Sequence, residues 1–220
     1  MEQYFSLLLQ CALFDGIAKT ELAAMLSCLG GKVHTYPAAS TILQAGAAVR
    51  DIGIVLSGRV QVIKEDYFGN SNLLTELNAP EIFAETFACA AIQESPVTVH
   101  SVTGCAILWI NYRKIITPCS SACGFHAVLI GNMLRIVAGK NLLLNQKIEF
   151  LSMRTMQEKL MAYFTLQRQK SGSDSFAIPF SRQELADFLC VDRSALSRTL
   201  CKMRDDGLLR FKGNQFTLLP

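Results

Sequence analysis

The spacing of hydrophobic positions along this 220-residue chain changes character twice. From Tyr4 to Leu29 it is helical: Leu7, Leu8, Cys11 and Phe14 come first. A fresh start at Lys19 then sets Leu22, Met25, Leu26 and Leu29 on one face, and Gly30-Gly31 ends the run. From Val33 to Ile110 short β-rich runs alternate with turn residues: Thr41–Leu43, Ile52–Leu56, Val60–Ile63, Leu73–Leu77, Val97–Val99 and Ala106–Ile110. Phe68-Gly69-Asn70-Ser71-Asn72 reads as a hairpin turn. Strands at this spacing predict a small sandwich or barrel-like roll.

After Pro118 the helical period returns. Phe125, Leu129, Met133, Ile136, Lys140, Leu143 and Lys147 fall on one stripe, with Val128 and Leu142 beside it. The helix runs from about Ala122 to Lys147, roughly seven turns at 3.6 residues each, which is more than a small roll requires. Such a helix buries its apolar seam against a second copy, predicting a homodimer. Asn132 and Lys140 lie near the seam and are candidates to face the roll or a ligand instead. Ile148–Ser152 interrupts the pattern; Ser152 is placed to cap a further helix reaching Lys170, with Leu160, Met161 and Phe164 inward, before a polar loop.

Ser181-Arg182-Gln183-Glu184 is a capping box that starts a short helix with Leu185, Ala186 and Leu189 on its buried face. Cys190-Val191-Asp192 breaks it, and Asp192 is a good N-cap for the next helix, in which Leu196, Leu200 and Met203 point inward. Arg193, Ser194, Ser197 and Arg198 then share the opposite face near its start. Two short helices with a tight turn, followed by a hairpin at Leu209–Phe211 and Phe216–Leu218, make a helix-turn-helix with a wing. A guanidinium at the front of a groove-entering helix donates two hydrogen bonds to O6 and N7 of guanine, and short serines allow close approach.

Charge sharpens the division. Residues 1–150 carry 10 Lys/Arg against 11 Asp/Glu, whereas residues 151–220 carry 11 against 7. A neutral front and a basic back fit a C-terminal module that faces nucleic acid. The N-terminus has no basic region before its apolar run and does not read as a signal peptide. The charge-free stretch Ile115–Leu134 contains Pro118, Ser120, Ser121, His126 and Asn132, which argues against a membrane span and for a cytoplasmic protein. The eight cysteines there are reduced thiols, and Cys119 and Cys123 lack a second close pair with which to hold a metal. His34, His100 and His126 are scattered, with no nucleophile, acid/base pair or Gly-rich phosphate loop, so no enzyme is expected.

Ile54-Val55-Leu56-Ser57-Gly58-Arg59-Val60, Arg182-Gln183-Glu184-Leu185-Ala186 and Arg193-Ser194-Ala195-Leu196-Ser197-Arg198, in this order around a roll and a long helix, resemble the Crp/Fnr transcription regulators. The resemblance implies an α+β chain of three parts. These are an effector-sensing, cyclic-nucleotide-binding-type β-roll with N-terminal helices (1–118), a dimerisation helix and hinge (119–150, the hinge at Phe150–Ser152), and a winged helix-turn-helix (151–220). It implies a homodimer on a palindromic double-stranded DNA operator, with RNA polymerase as a further partner. Base reading falls on Arg193 or Ser194, Ser197 and Arg198, and phosphate contacts on Ser181, Arg182 and Gln183.

The departures shape the effector expectation. Cys190 stands where the family's turn has glycine, and Ala84-Glu85 and Ser95-Pro96 stand where cyclic-AMP-binding members have Gly-Glu and Arg-Ser. Glu85 retains an acceptor for a sugar hydroxyl, but the cation for a buried phosphate is missing. Cys11 and Cys28 near the N-terminus are too few for an iron–sulfur cluster, so no cofactor is expected. A small, weakly charged or aromatic effector is expected in a pocket framed by Leu73, Phe83, Glu85, Ser95 and Val97, with Met133 and Ile136 from the helix. The alternatives are a thiol switch joining Cys11 and Cys201, or a ligand-sensing module that does not bind DNA.

Overall fold

The computed structural model describes residues 1–65, 67, 71–117 and 124–219. The centre of the expected hairpin turn, residues 68–70, and the Cys119/Cys123 pair lie outside them. The chain forms two compact units, Met1–Gly139 and Lys140–Pro220.

The first unit opens with 3-10 turns at Glu2–Tyr4 and Ala12–Phe14 around α1 (Phe5–Leu8), followed by α2 (Leu22–Leu29). The strands are β1 (Lys32–Tyr36), β2 (Thr41–Leu43), β3 (Asp51–Ser57), β4 (Arg59–Glu65), β5 (Ser71–Asn78) and β6 (Ile82–Phe83). After α3 (Glu85–Cys89) come β7 (Thr98–Ser101), β8 (Cys105–Asn111), α4 (Tyr112–Ile116) and α5 (Phe125–Ser152). Two antiparallel sheets, ordered β1-β8-β3-β6 and β2-β7-β4-β5, face each other as a roll.

The central strands β3 and β8 are buried on both faces, which explains their nearly unbroken apolar runs. Ile52, Ile54, Leu56, Ala106, Leu108 and Ile110 join the core under the helices, with Leu22, Met25, Leu26 and Leu29. Val55, Cys105 and Ile107 point the other way, into the roll, with Val60, Val62, Phe83, Val97 and Val99. A side chain at Gly53 would overlap the Phe83 ring, so glycine there lets the ring lie on β3. Gly30, with φ of +66°, ends α2 in the left-handed conformation that the double glycine predicted.

The long helix corrects one expectation. The front of the stripe, Phe125, Leu129, Met133 and Ile136, packs on the core of its own unit, with Leu129 and Met133 buried, while Leu143 further along it and Leu142 beside it are 61% and 64% exposed. A different row is only partly covered: Val137 packs on the same core and Ile130 and Leu151 are half-buried, while its other apolar positions stand open. Ile130, Leu134, Val137, Asn141, Leu144, Ile148 and Leu151 alternate at four and three residues, a heptad repeat with one polar layer at Asn141. Leu134 is 67% exposed, Leu144 61% and Ile148 62%. Length and composition alone would also allow this helix to cross a membrane.

Asn132, set beside the apolar stripe, faces inward. Its amide donates to the Leu13 carbonyl (2.9 Å) and the Asp15 carbonyl (2.7 Å), and its Oδ1 accepts from Arg135 (3.0 Å). One side chain thus fixes the N-terminal segment to α5. Asn132→Leu keeps the volume but strands both carbonyls, and is expected to lower stability by about 1–3 kcal/mol in urea unfolding. An unchanged midpoint would contradict this role.

In the second unit α5 continues unbroken through Ser152, and Phe150 is buried in the local core. The hinge and helix start expected at Phe150–Ser152 are therefore displaced: the chain turns at Met153-Arg154, and Thr155 caps α6 (Met156–Ser171) through a capping box with Glu158. Leu160 and Phe164 are inward as expected, joined by Tyr163, while Met161 is half-buried. β9 (Ser175–Ala177), α7 (Arg182–Phe188), α8 (Arg193–Asp205), β10 (Leu209–Lys212) and β11 (Gln215–Leu218) complete the unit, with the strands ordered β10-β11-β9. Its core is aromatic: the Phe164 and Phe216 rings pack at 4.5 Å, tilted by 32°, with Phe176 beside them.

Candidate nucleic-acid interface and effector roll

Local chemistry sets the two helices. Ser181 accepts from the Glu184 amide (3.3 Å), and the Glu184 carboxylate accepts from the Ser181 amide (2.7 Å), starting α7. These bonds hold the Glu184 carboxyl below the usual carboxylate range. Asp192 accepts from the Ala195 amide at 2.8 Å and starts α8; chiefly this bond holds its carboxyl low too. Between them Cys190 takes φ of +52°, and the amides of Cys190 and Val191 reach back to the carbonyls of Asp187 and Ala186. The turn keeps the geometry expected of glycine at roughly 1–2 kcal/mol of left-handed strain.

Leu196, Leu200 and Met203 anchor α8 from within, each 1% exposed or less. Their spacing turns Arg193, Ser194 and Arg198 to the surface, with Ser197 half-buried beside them. Lys202 is also exposed, and so are Arg210 and Lys212 on the wing. On α7, Ser181 and Gln183 are exposed, and Gln183 donates to Asp187 at 2.8 Å. The face offers guanidinium forks at the start of a helix, flanked by short hydroxyls. Its donors match guanine edges and phosphate oxygens.

Arg182 departs from the expected set. Its guanidinium lies over the rings of Phe216 (4.8 Å) and Phe211 (5.2 Å), and Nη2 donates to the Gly213 carbonyl at 2.7 Å. Nη1 is buried with no hydrogen-bond partner among the described residues. Burial lowers its pKa from the ordinary guanidinium value. The residue clamps the wing's tip to α7 rather than standing open to phosphate. Arg182→Ala is expected to destabilise the fold by about 1.5–3 kcal/mol, because a charge-assisted bond and two ring contacts are lost. The salt dependence of DNA binding should keep its slope. A flatter slope at unchanged melting temperature would return Arg182 to the phosphate set.

The roll brings together part of the expected effector frame. Phe83, Glu85, Ser95 and Val97 are all buried. Met133 and Ile136 belong to the other core, under the helices, and Leu73 is 57% exposed. The register of β4 on β5 skips Leu74 between Val62↔Thr75 and Ile63↔Leu73, and this bulge interrupts the inward alternation. Ala84 occupies the glycine position at φ of +64°, directly before α3. Glu85 accepts from the Thr86 hydroxyl at 3.0 Å. Where a phosphate-binding arginine would stand, the Ser95 hydroxyl donates to the Val97 carbonyl at 2.7 Å. Trp109, expected in a strand of the roll but not in the effector frame, packs edge-on to Phe83 at 5.3 Å and donates to the Tyr36 hydroxyl at 3.1 Å. Its position in an apolar run concealed that role.

The proposed partners of a thiol switch differ sharply. Cys201 is exposed, whereas Cys11 is buried and its thiol is pushed up to about 11 by that burial. A buried, protonated thiol is a poor nucleophile.

Residues 158–219 match the Crp-like helix-turn-helix domain, and residues 33–120 the cyclic nucleotide-binding domain. The chain is similar to the cAMP-activated global transcriptional regulator CRP of Haemophilus influenzae, 24% identical over 182 residues that cover 82% of this chain and 81% of that protein. It is 22% identical to the probable transcriptional regulator flp of Lacticaseibacillus casei over 83% of this chain and 76% of that one. OCPA-complexed CprK shares its fold with a TM-score of 0.64 at 11% identity, covering 90% of this chain and 88% of that one. The c-di-GMP responsive regulator CLP of Xanthomonas campestris does so at 0.55 and 19%, covering 90% and 99%.

Proposed function

This chain belongs to the Crp/Fnr family of DNA-binding transcription regulators with an effector-binding domain, and from that premise we propose that it reads a palindromic operator as a homodimer under the control of a small, non-nucleotide effector. The observation that carries the reading is the row of Arg193, Ser194 and Arg198 exposed on α8, with Ser197 half-buried beside them, above a buried apolar anchor. Ser181 and Gln183 supply phosphate contacts beside it, and Arg182 positions the wing. The open heptad row of α5 pairs with its copy, so that each α8 meets one half-site, the two about 34–36 Å apart on one face of the duplex. The leucines of that row are covered by protein, not lipid, and the chain works in the cytoplasm, with RNA polymerase as a further partner.

Residues 1–118 sense, 119–150 pair and 151–220 bind DNA. The effector occupies the roll near Phe83, Glu85, Ser95 and Val97, where an apolar lining and a serine in place of a phosphate-binding cation favour a weakly charged or aromatic molecule. A regulator of this kind performs no catalysis of its own.

Selection from random duplexes is the direct test. An enriched inverted repeat is expected, whose binding weakens steeply with salt, as phosphate contacts require. Recovery of sequences with no common half-site would overturn specific recognition. Cyclic AMP should not shift the melting temperature, and a clear shift would overturn the exclusion of a nucleotide.

A further inference from the structure

In the first unit, Cys28, in the last turn of α2, lies with Sγ 3.8 Å from Nε2 of His126 in the first turn of α5. The imidazole is only 3% exposed, and its Nδ1 is 3.3 Å from the Ile115 carbonyl at the end of α4. A carbonyl oxygen only accepts, so this contact puts the ring proton on Nδ1 and leaves Nε2 to accept from the thiol. The same α4 brings the Lys114 ammonium against Gly30, two residues beyond Cys28, where positive charge offsets the carbonyl end of α2. Cys28 is half-buried, within reach of small reagents, and the Phe125 ring lies 4.8 Å from the imidazole.

We propose that Cys28 and His126 form a thiol–imidazole pair that makes Cys28 a covalent modification site for small conjugated carbonyl compounds. The S–H proton passes to Nε2 of His126, and the sulfur lone pair forms a C–S bond at the β-carbon of the electrophile. The C=C electron pair shifts toward the carbonyl as an enolate, which takes the proton back from the imidazolium at its α-carbon. The acceptor's double bond is consumed, and no oxidant or metal is involved. The Phe125 ring beside the imidazole suits an uncharged electrophile, and the nearby Lys114 ammonium suits the negative charge that develops on its carbonyl oxygen. His126 acts here as the base of an activated nucleophile, oriented by a third group, the Ile115 carbonyl.

N-ethylmaleimide, limiting and at about pH 6.5, probes this on the full chain, with each thiol followed by peptide mass spectrometry. Tryptic peptide 20–32 holds Cys28 as its single thiol, and peptide 183–193 holds the exposed Cys190 as an internal reference. Cys28 is expected to react at least about tenfold faster than Cys190 in the folded protein, and at about the same rate in guanidinium. His126→Gln should cut the Cys28 rate by about tenfold or more while leaving Cys190 unchanged, with circular dichroism establishing that the variant is folded. Equal or slower reaction at Cys28 in the folded wild type would overturn the proposal, whatever the variant does. So would a folded His126→Gln chain with the wild-type Cys28 rate.

Discussion

Replacing Leu134 and Leu144 together with aspartate is expected to leave a monomer in sedimentation equilibrium at micromolar concentration, and to weaken operator binding at least a hundredfold. Both side chains are more than 60% exposed on α5 and lie in the open heptad row, away from the stripe that packs on the roll. In a two-fold pair they bury four leucines, at roughly 1.5–3 kcal/mol each, and aspartates there would desolvate like charges against one another. Because neither leucine supports the core of its own unit, the variant should keep the helical content and melting behaviour of a folded chain. The control is Leu129→Asp, on the inward stripe, which should unfold the first unit instead. A dimer that survives both aspartates would move the interface to another surface.

Arg198→Ala should lower affinity for the selected operator by about 1–3 kcal/mol per half-site and abolish preference at one G·C pair in each. The side chain is exposed on the face opposite Leu196, Leu200 and Met203, so its removal leaves the anchor of α8 intact. Asp192, whose carboxylate is occupied by the Ala195 amide, lies near enough to Arg198 to feel its charge. Affinity for non-specific DNA should fall only slightly, since one cation in a basic unit contributes little to counterion release. Competition assays with single-base operator variants supply the measurement. Full retention of the wild-type preference profile would assign base reading to Arg193 and the serines.

Where one physical rule decides an element, the sequence was sufficient. Ser181 with Glu184 fixes a helix start by itself, as does Asp192, and both stand where expected. Leu22, Met25, Leu26 and Leu29 form a single apolar face, and all four are buried. The long helix was different because it is apolar on more than one side. Periodicity finds its rows but cannot say which one the core will take, and the core took the front of the row expected at the seam while leaving its Leu143 exposed. Leu73 shows the same limit in a strand: alternation predicts an inward side chain, but a bulge at Leu74 is invisible without the pairing strand. Arg182 lies in the first turn of a DNA-facing helix, and only the folded wing reveals that two rings and a carbonyl already hold its guanidinium.

Asn141 breaks the open row of α5 with an amide, which donates nothing to the row itself but accepts from Asn145 at 2.8 Å. In the proposed homodimer the carboxamide would lie opposite that of its own copy, where the two dipoles can be satisfied in register. Opposite a related chain carrying leucine at that layer, the amide would be sealed against hydrocarbon, at a penalty of about 1–3 kcal/mol. In the proposed dimer this one layer would act as a label of kinship. It would disfavour mixed pairs, so that each proposed dimer forms from two copies of one chain.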